Sequence, residues 1–81
     1  MTYYLHLRLR DYIPERYVIR TSRTEHINPR TNDETKVLGE FATAVEAYDA
    51  AVSRGDAPIY KGIRNDFDIK VFGRDDLEGT V

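Results

Sequence analysis

Thr43-Ala44-Val45-Glu46-Ala47-Tyr48-Asp49-Ala50-Ala51-Val52-Ser53-Arg54-Gly55 is the segment with helical spacing in a chain that otherwise alternates like strands, so its reading separates an α+β domain from an all-β one. Its first four residues form a capping box, with Thr43 at the N-cap and Glu46 reaching back from the first turn. Val45, Tyr48 and Val52 fall on one stripe with small alanines beside them, whereas Glu46, Asp49 and Ser53 fall elsewhere. Arg54 stands where the helix dipole favours a cation, and Gly55 closes the helix. Alanines let such a helix lie close to a sheet. Its span of about 18 Å matches a six-residue strand, so one helix can cover the middle of a small sheet.

Working outward, Tyr3, Leu5, Leu7 and Leu9 alternate with Tyr4, His6, Arg8 and Arg10, which is strand periodicity with one apolar and one basic face. Pro14 interrupts the pattern, and residues 16–23 resume it, which predicts an antiparallel hairpin. Residues 24–35 form a polar run with an Asn28-Pro29 step and the turn formers Arg30-Thr31-Asn32-Asp33. Strands are expected at 36–41 and 67–72, and residues 59–64 read either as a connection or as a short extended piece. The expected fold is α+β with a small mixed sheet in the order β-β-β-α-β and one helix on one face. The first three strands would form a meander, and the last would return beside the first, parallel to it. Residues 1–73 make the domain, and the acidic segment 74–81 is expected to fray.

With 81 residues and 9.4 kDa the chain has room for one core. Leu, Ile, Val and Phe supply 20 of those residues, enough for a folded domain. Nothing approaches the roughly 18 apolar residues of a spanning helix, and Met1-Thr2-Tyr3-Tyr4 does not open a signal peptide, so a cytoplasmic protein is expected. The absence of cysteine removes disulfides, thiolate zinc sites and thiol nucleophiles. The net charge of −2 is unevenly distributed: residues 1–30 hold six cations against three acids, and residues 31–81 hold six against eleven. Such a split predicts two unlike faces.

Catalytic chemistry finds little support in the residues. Asp68-Ile69-Lys70 and Glu34-Thr35-Lys36 match the acid-x-Lys spacing of metal-dependent nucleases, but so short a pattern recurs in any polar chain and reads as solvent-facing strand charge. Asp75, Asp76 and Glu78 lack the ligand alternation of a calcium loop. His6 and His26 have no cysteine or paired histidine with which to hold zinc, and the five glycines are scattered singly. No enzymatic activity and no cofactor or metal are expected. What remains is a surface. If Leu5, Ile19, Phe41 and Ile69 face the helix, the opposite face shows Tyr4, His6, Arg8, Arg10, Arg16, Val18, Arg20, Lys36, Leu38, Lys70 and Phe72, with Glu40, Asp66 and Asp68 among them. Arginines interleaved with aromatic and apolar side chains suit a binding face. The candidate partner-binding residues are Tyr4, His6, Arg8, Arg10, Arg20, Arg23, Arg30 and Phe72.

Two local patterns resemble nucleic-acid binders. Arg23-Thr24, Asn28-Pro29-Arg30-Thr31 and Glu34 are similar to the DNA-bending arm of bacterial histone-like proteins, which implies a proline wedge at Pro29. Three strands followed by Gly39-Glu40-Phe41-Ala42-Thr43 and an Ala-Tyr-Asp helix resemble, in outline, the plant ethylene-response-type DNA-binding domain, which docks its sheet in the major groove. The whole chain also resembles, as a class and without a diagnostic motif, the small cysteine-free sheet-plus-helix proteins of phages, among them the anti-CRISPR inhibitors. That resemblance implies a stoichiometric inhibitor that binds a host CRISPR effector complex in the bacterial cytoplasm. The alternative is a small nucleic-acid-binding module using the basic sheet face and the 24–35 hairpin loop.

Overall fold

The computed structural model describes residues 1–63 and 67–77. Among these residues six strands make one mixed sheet: β1 (Tyr3–Arg10), β2 (Ile13–Arg20), β3 (His26–Asn28), β4 (Asp33–Phe41), β5 (Ile59–Ile63) and β6 (Phe67–Lys70). One helix, α1 (Ala44–Arg54), connects β4 to β5, and the strands lie in the order β3-β4-β1-β2-β5-β6. The α+β class and the β1–β2 hairpin are as the periodicity predicts. Among the described residues, no helix is long and apolar enough to cross a membrane.

The strand order differs from the expected meander. β4 pairs antiparallel with β1, not with β2, so β1 is central. The reason is the path after β2, where the chain crosses above β1, placing the Ser22 carbonyl 2.8 Å from His6 Nε2. That crossing carries it to the far edge, where the short β3 pairs with β4. The parallel return through the helix is made by β5, the segment whose reading was open, and it joins β2. β6 then adds antiparallel to β5 at the other edge. Pro14 is tolerated because β2 meets β5 only at Tyr17, Val18 and Ile19, so the start of β2 needs no second partner.

Leu5, Tyr17, Ile19 and Ile59 form the sheet side of the core, and Ala44, Ala47 and Ala51 form the helix side. These alanines, at i, i+3 and i+7, are the stripe that meets the sheet, flanked by the partly buried Val45 and Tyr48. Val52, assigned to the buried stripe by its hydrophobicity, is instead 54% exposed. Close approach favours the smallest side chains, so the alanines take the inner positions. The Thr43 half of the expected box forms, with Thr43 Oγ1 accepting from Glu46 N at 3.2 Å, whereas Glu46 Oε2 reaches one residue past the cap and accepts from Ala42 N at 3.2 Å.

A bulge in β4 rearranges the two sheet faces. Gly39 pairs with Leu5 but Val37 pairs with His6, leaving Leu38 as the extra residue. Leu38 therefore packs on the core, and Lys36, opposite Leu7, lies on the helix side, so neither joins the outer face. A Cβ at Gly39 would stand 2.9 Å from the Phe41 ring, so a larger residue here would have to push that ring aside. Ile69, placed toward the helix by alternation, is 55% exposed, because it stands on the edge strand beside Lys61.

Of the segment 74–81 expected to fray, residues 74–77 take a defined turn, and 78–81 lie outside the described residues. Arg74–Asp76 form a 3-10 turn in which Asp76 Oδ2 accepts from the Phe72 and Gly73 amides at 2.8 and 2.9 Å. Arg74 Nε bonds Asp49 Oδ1 of α1 at 3.1 Å, and Leu77 is buried in the core. An apolar residue with space beneath the helix outweighs the acidic composition from which fraying was read.

The β1–β2 hairpin turns at Asp11-Tyr12, and Tyr12 takes φ 64°, a left-handed conformation that bulky side chains rarely adopt. Its ring is fully exposed, so no packing offsets the strain. Tyr12→Asn is expected to raise unfolding free energy by about 1 kcal/mol, because asparagine tolerates this region. Urea denaturation at neutral pH measures the change.

Candidate binding site

The face of the sheet away from α1 is built in cross-strand rows. His26, Thr35, Arg8 and Arg16 make one row, Val37, His6, Val18 and Tyr60 the next, and Glu40, Tyr4 and Arg20 the third. The middle row is not wet. His6 and Val18 are fully buried, because the chain leaving β2 lies over them and the Ser22 carbonyl sits against the His6 ring. This segment is held by its own hydroxyls: Ser22 Oγ donates to Thr24 Oγ1 at 3.0 Å and accepts from Thr24 N at 3.1 Å. Just before the short β3, Glu25 Oε2 accepts from Val37 N at 3.3 Å.

A cavity of about 220 Å³ opens between this segment and the sheet, lined by Arg8, Arg20, Ser22, Thr24, His26, Asp33 and Thr35. Arg8 clamps Asp33 through Nε to Oδ1 at 3.1 Å and Nη2 to Oδ2 at 3.0 Å, with both side chains mostly buried. That bidentate bond holds the Asp33 carboxyl below its ordinary range; burial opposes the shift, and the fields of Arg8, Arg10 and His26 add to it. On the opposite wall Arg20 crosses Gly62, where a Cβ would stand 2.6 Å from Arg20 Cγ. Arg16 lies 5.2 Å over the Tyr60 ring. Ser22, His26 and Asp33 are the residue types of a nucleophilic triad. Here the Ser22 hydroxyl points to Thr24 and both Asp33 oxygens are held by Arg8, so their geometry organises a loop and a wall.

Comparison of the chain with protein-family models, curated proteins and solved structures gave no match. The site therefore stands on its own geometry.

The structure distributes the eight residues singled out in the sequence over several places. Arg8 and Arg20 line the cavity, while His6 lies buried beneath the covering segment. Tyr4 stands near the other end of β1, its hydroxyl 3.4 Å from Glu40 Oε1. Arg10 and Arg30 meet at the hairpin end, and Arg23 is exposed on the covering segment. Phe72 is 87% exposed but follows β6, outside the strand in which alternation put it. The expectation of one continuous wet face is thus corrected: period-two reading gives the side of the sheet but not what the chain later lays across it.

Sequence reasoning missed Ser22, Thr24, His26, Asp33 and Thr35 as neighbours of the arginines. The available signal was the length of the 24–35 segment, which exceeds what a hairpin needs. Lys36 pairs with Glu34 at 3.5 Å on the helix side, as solvated strand charge. Asp66 and Glu78 lie outside the described residues, as does the side chain of Asp68.

Proposed function

We propose that the protein is a non-catalytic binding protein that works by stoichiometric association with a protein partner. The class it resembles makes the partner a bacterial nucleoprotein complex of the CRISPR effector kind and the site of action the bacterial cytoplasm. The observation that carries this reading is the cavity walled by Arg8 and Arg20 and edged by Ser22, Thr24 and Thr35. Arg8 gives Nε and Nη2 to Asp33 in the same lining, so the Arg20 guanidinium and the hydroxyls at the rim are the groups that suit an acidic side chain presented by another protein. The acids of α1 and the 3-10 turn, Glu46, Asp49, Asp75 and Asp76, belong to the other layer, so like charges there do not oppose such an approach.

Affinity capture from a bacterial lysate, followed by sizing of the recovered complex, tests the reading. Arg8 is a poor probe because it holds Asp33, so the informative variant is Arg20→Glu/Arg23→Glu. A partner recovered at fixed ratio by the native protein and lost by a folded double variant is the expected result, since truncated arginine anchors cost about 2 kcal/mol or more. Gel shift with naked DNA and RNA across salt is the counter-test. Tight binding that falls steeply as salt rises would replace this reading with the nucleic-acid one.

A further inference from the structure

The two hairpin ends at one end of the sheet are joined into a single tip. The Asp11 amide donates to the Thr31 carbonyl at 3.5 Å, and Asn32 Nδ2 donates to Asp11 Oδ2 at 2.8 Å. The second turn is braced internally: Arg30 N donates to Asn28 Oδ1 at 3.1 Å, Thr31 N donates to the Asn28 carbonyl at 3.3 Å, and Asn32 takes φ 50°. Between the two loops lies a shallow cavity of about 240 Å³ lined by Arg10, Asp11, Tyr12, Arg30 and Thr31.

Tyr12 is the telling residue. Asparagine in the matching conformation at position 32 shows what local stability favours in such a turn. Tyrosine at position 12 instead carries the cost of a left-handed backbone with its ring entirely in solvent. Strain that persists without local compensation marks a surface held for contact. Tyr12 shares this cavity with two exposed arginines, Arg10 at the end of β1 and Arg30 in the second turn, and the exposed Ile13 follows it. Tyr and Arg are the residues that dominate interface energetics.

We propose that this tip is the anchoring point for an acidic segment of a protein partner, with its carboxylates between Arg10 and Arg30 and its backbone against the Tyr12 ring. The inference rests on the reading as a binding protein and adds a second contact at the hairpin end, separate from the one at the sheet cavity. Charge complementarity selects this occupant. Two arginines attract a carboxylate pair, while the Asp11 carboxylate in the same cavity favours a partner that also offers amide donors over a continuous phosphate backbone.

The test measures fluorescence anisotropy of a labelled ten-residue glutamate peptide and, separately, a labelled ten-nucleotide oligothymidylate, each with the full chain. Arg10→Ala/Arg30→Ala and Tyr12→Asn are expected to weaken peptide binding at least about 10-fold each. Arg20→Ala, at the sheet cavity, should change it less than about 2-fold. Tyr12→Asn is decisive because it should fold more stably while binding worse, which a merely structural role for Tyr12 does not produce. Peptide binding that survives both tip variants, or that falls only with Arg20→Ala, overturns the tip as anchor and leaves the sheet cavity as the site. Oligothymidylate bound more tightly than the peptide and released by the tip variants overturns the protein-partner assignment. Undetectable binding of either probe by the native chain also overturns the proposal, whereas the lysate capture separately decides whether the protein has a partner at all.

Discussion

Leu5→Ala is expected to remove about 3 kcal/mol of unfolding free energy, the middle of the range for deleting a buried leucine side chain. Leu5 is 1% exposed, sits on the central strand with paired neighbours on both sides, and lies within the core that the helix alanines close. Its surroundings cannot collapse into the gap, because ladders hold the backbone on both flanks. A chain of this size holds a total of roughly 4–12 kcal/mol, so the loss is a large share of what keeps it folded. Ile69→Ala is the control. Both residues occupy apolar positions of alternating strands, but Ile69 is more than half exposed, and its truncation should cost under about 1 kcal/mol. Urea midpoints of the two variants read the difference, and equal losses would mean that the core does not close over β1 as described.

Asp33→Asn is the second large effect, with an expected loss of about 2 kcal/mol at neutral pH, because Arg8 then lacks its carboxylate in a mostly buried place. The sign with pH follows from the lowered carboxyl. Asp33 contributes stability that is fully present above its unfolded value near 3.8 and is lost as pH falls through the still lower folded value. The gap between native protein and variant should therefore stay constant from pH 7 down to about 4.5 and close below pH 3.8. Urea is the suitable denaturant, because guanidinium salts would screen the pair. A gap that widens on acidification would show that the fold raises the Asp33 carboxyl instead of lowering it, and would overturn the Arg8 pair as its dominant contact.

The helix was legible because its signals are local: Thr43 and Glu46 act within one turn of each other, and Gly55 sits directly after the last turn. The β1–β2 hairpin was legible for the same reason, since it closes across two residues. Strand order was not, because nothing near Lys36 says whether it will lie beside β1 or β2; that depends on where the Ser22 segment crosses the sheet. The bulge at Leu38 defeated alternation by one residue and so reversed the face assigned to Lys36 and Leu38. At the candidate site, the arginines could be seen in the sequence but their states could not. Arg8 is fixed by an acid 25 positions away, and Tyr12 shows its strain only once its φ is known.

The order β3-β4-β1-β2-β5-β6 also divides the chain in time. Everything up to Phe41 assembles four adjacent strands by antiparallel pairing, and only the residues after it supply the helix, β5 and the buried Leu77. During synthesis the first half thus emerges as a sheet whose apolar side has no cover and whose β2 edge has no neighbour. Such an edge invites pairing between nascent chains. Parallel docking of β5 on β2 must wait for α1 to span β1 and β2, a long-range closure and hence the slow event. The longer that half-built sheet persists, the longer its open β2 edge is available for such pairing.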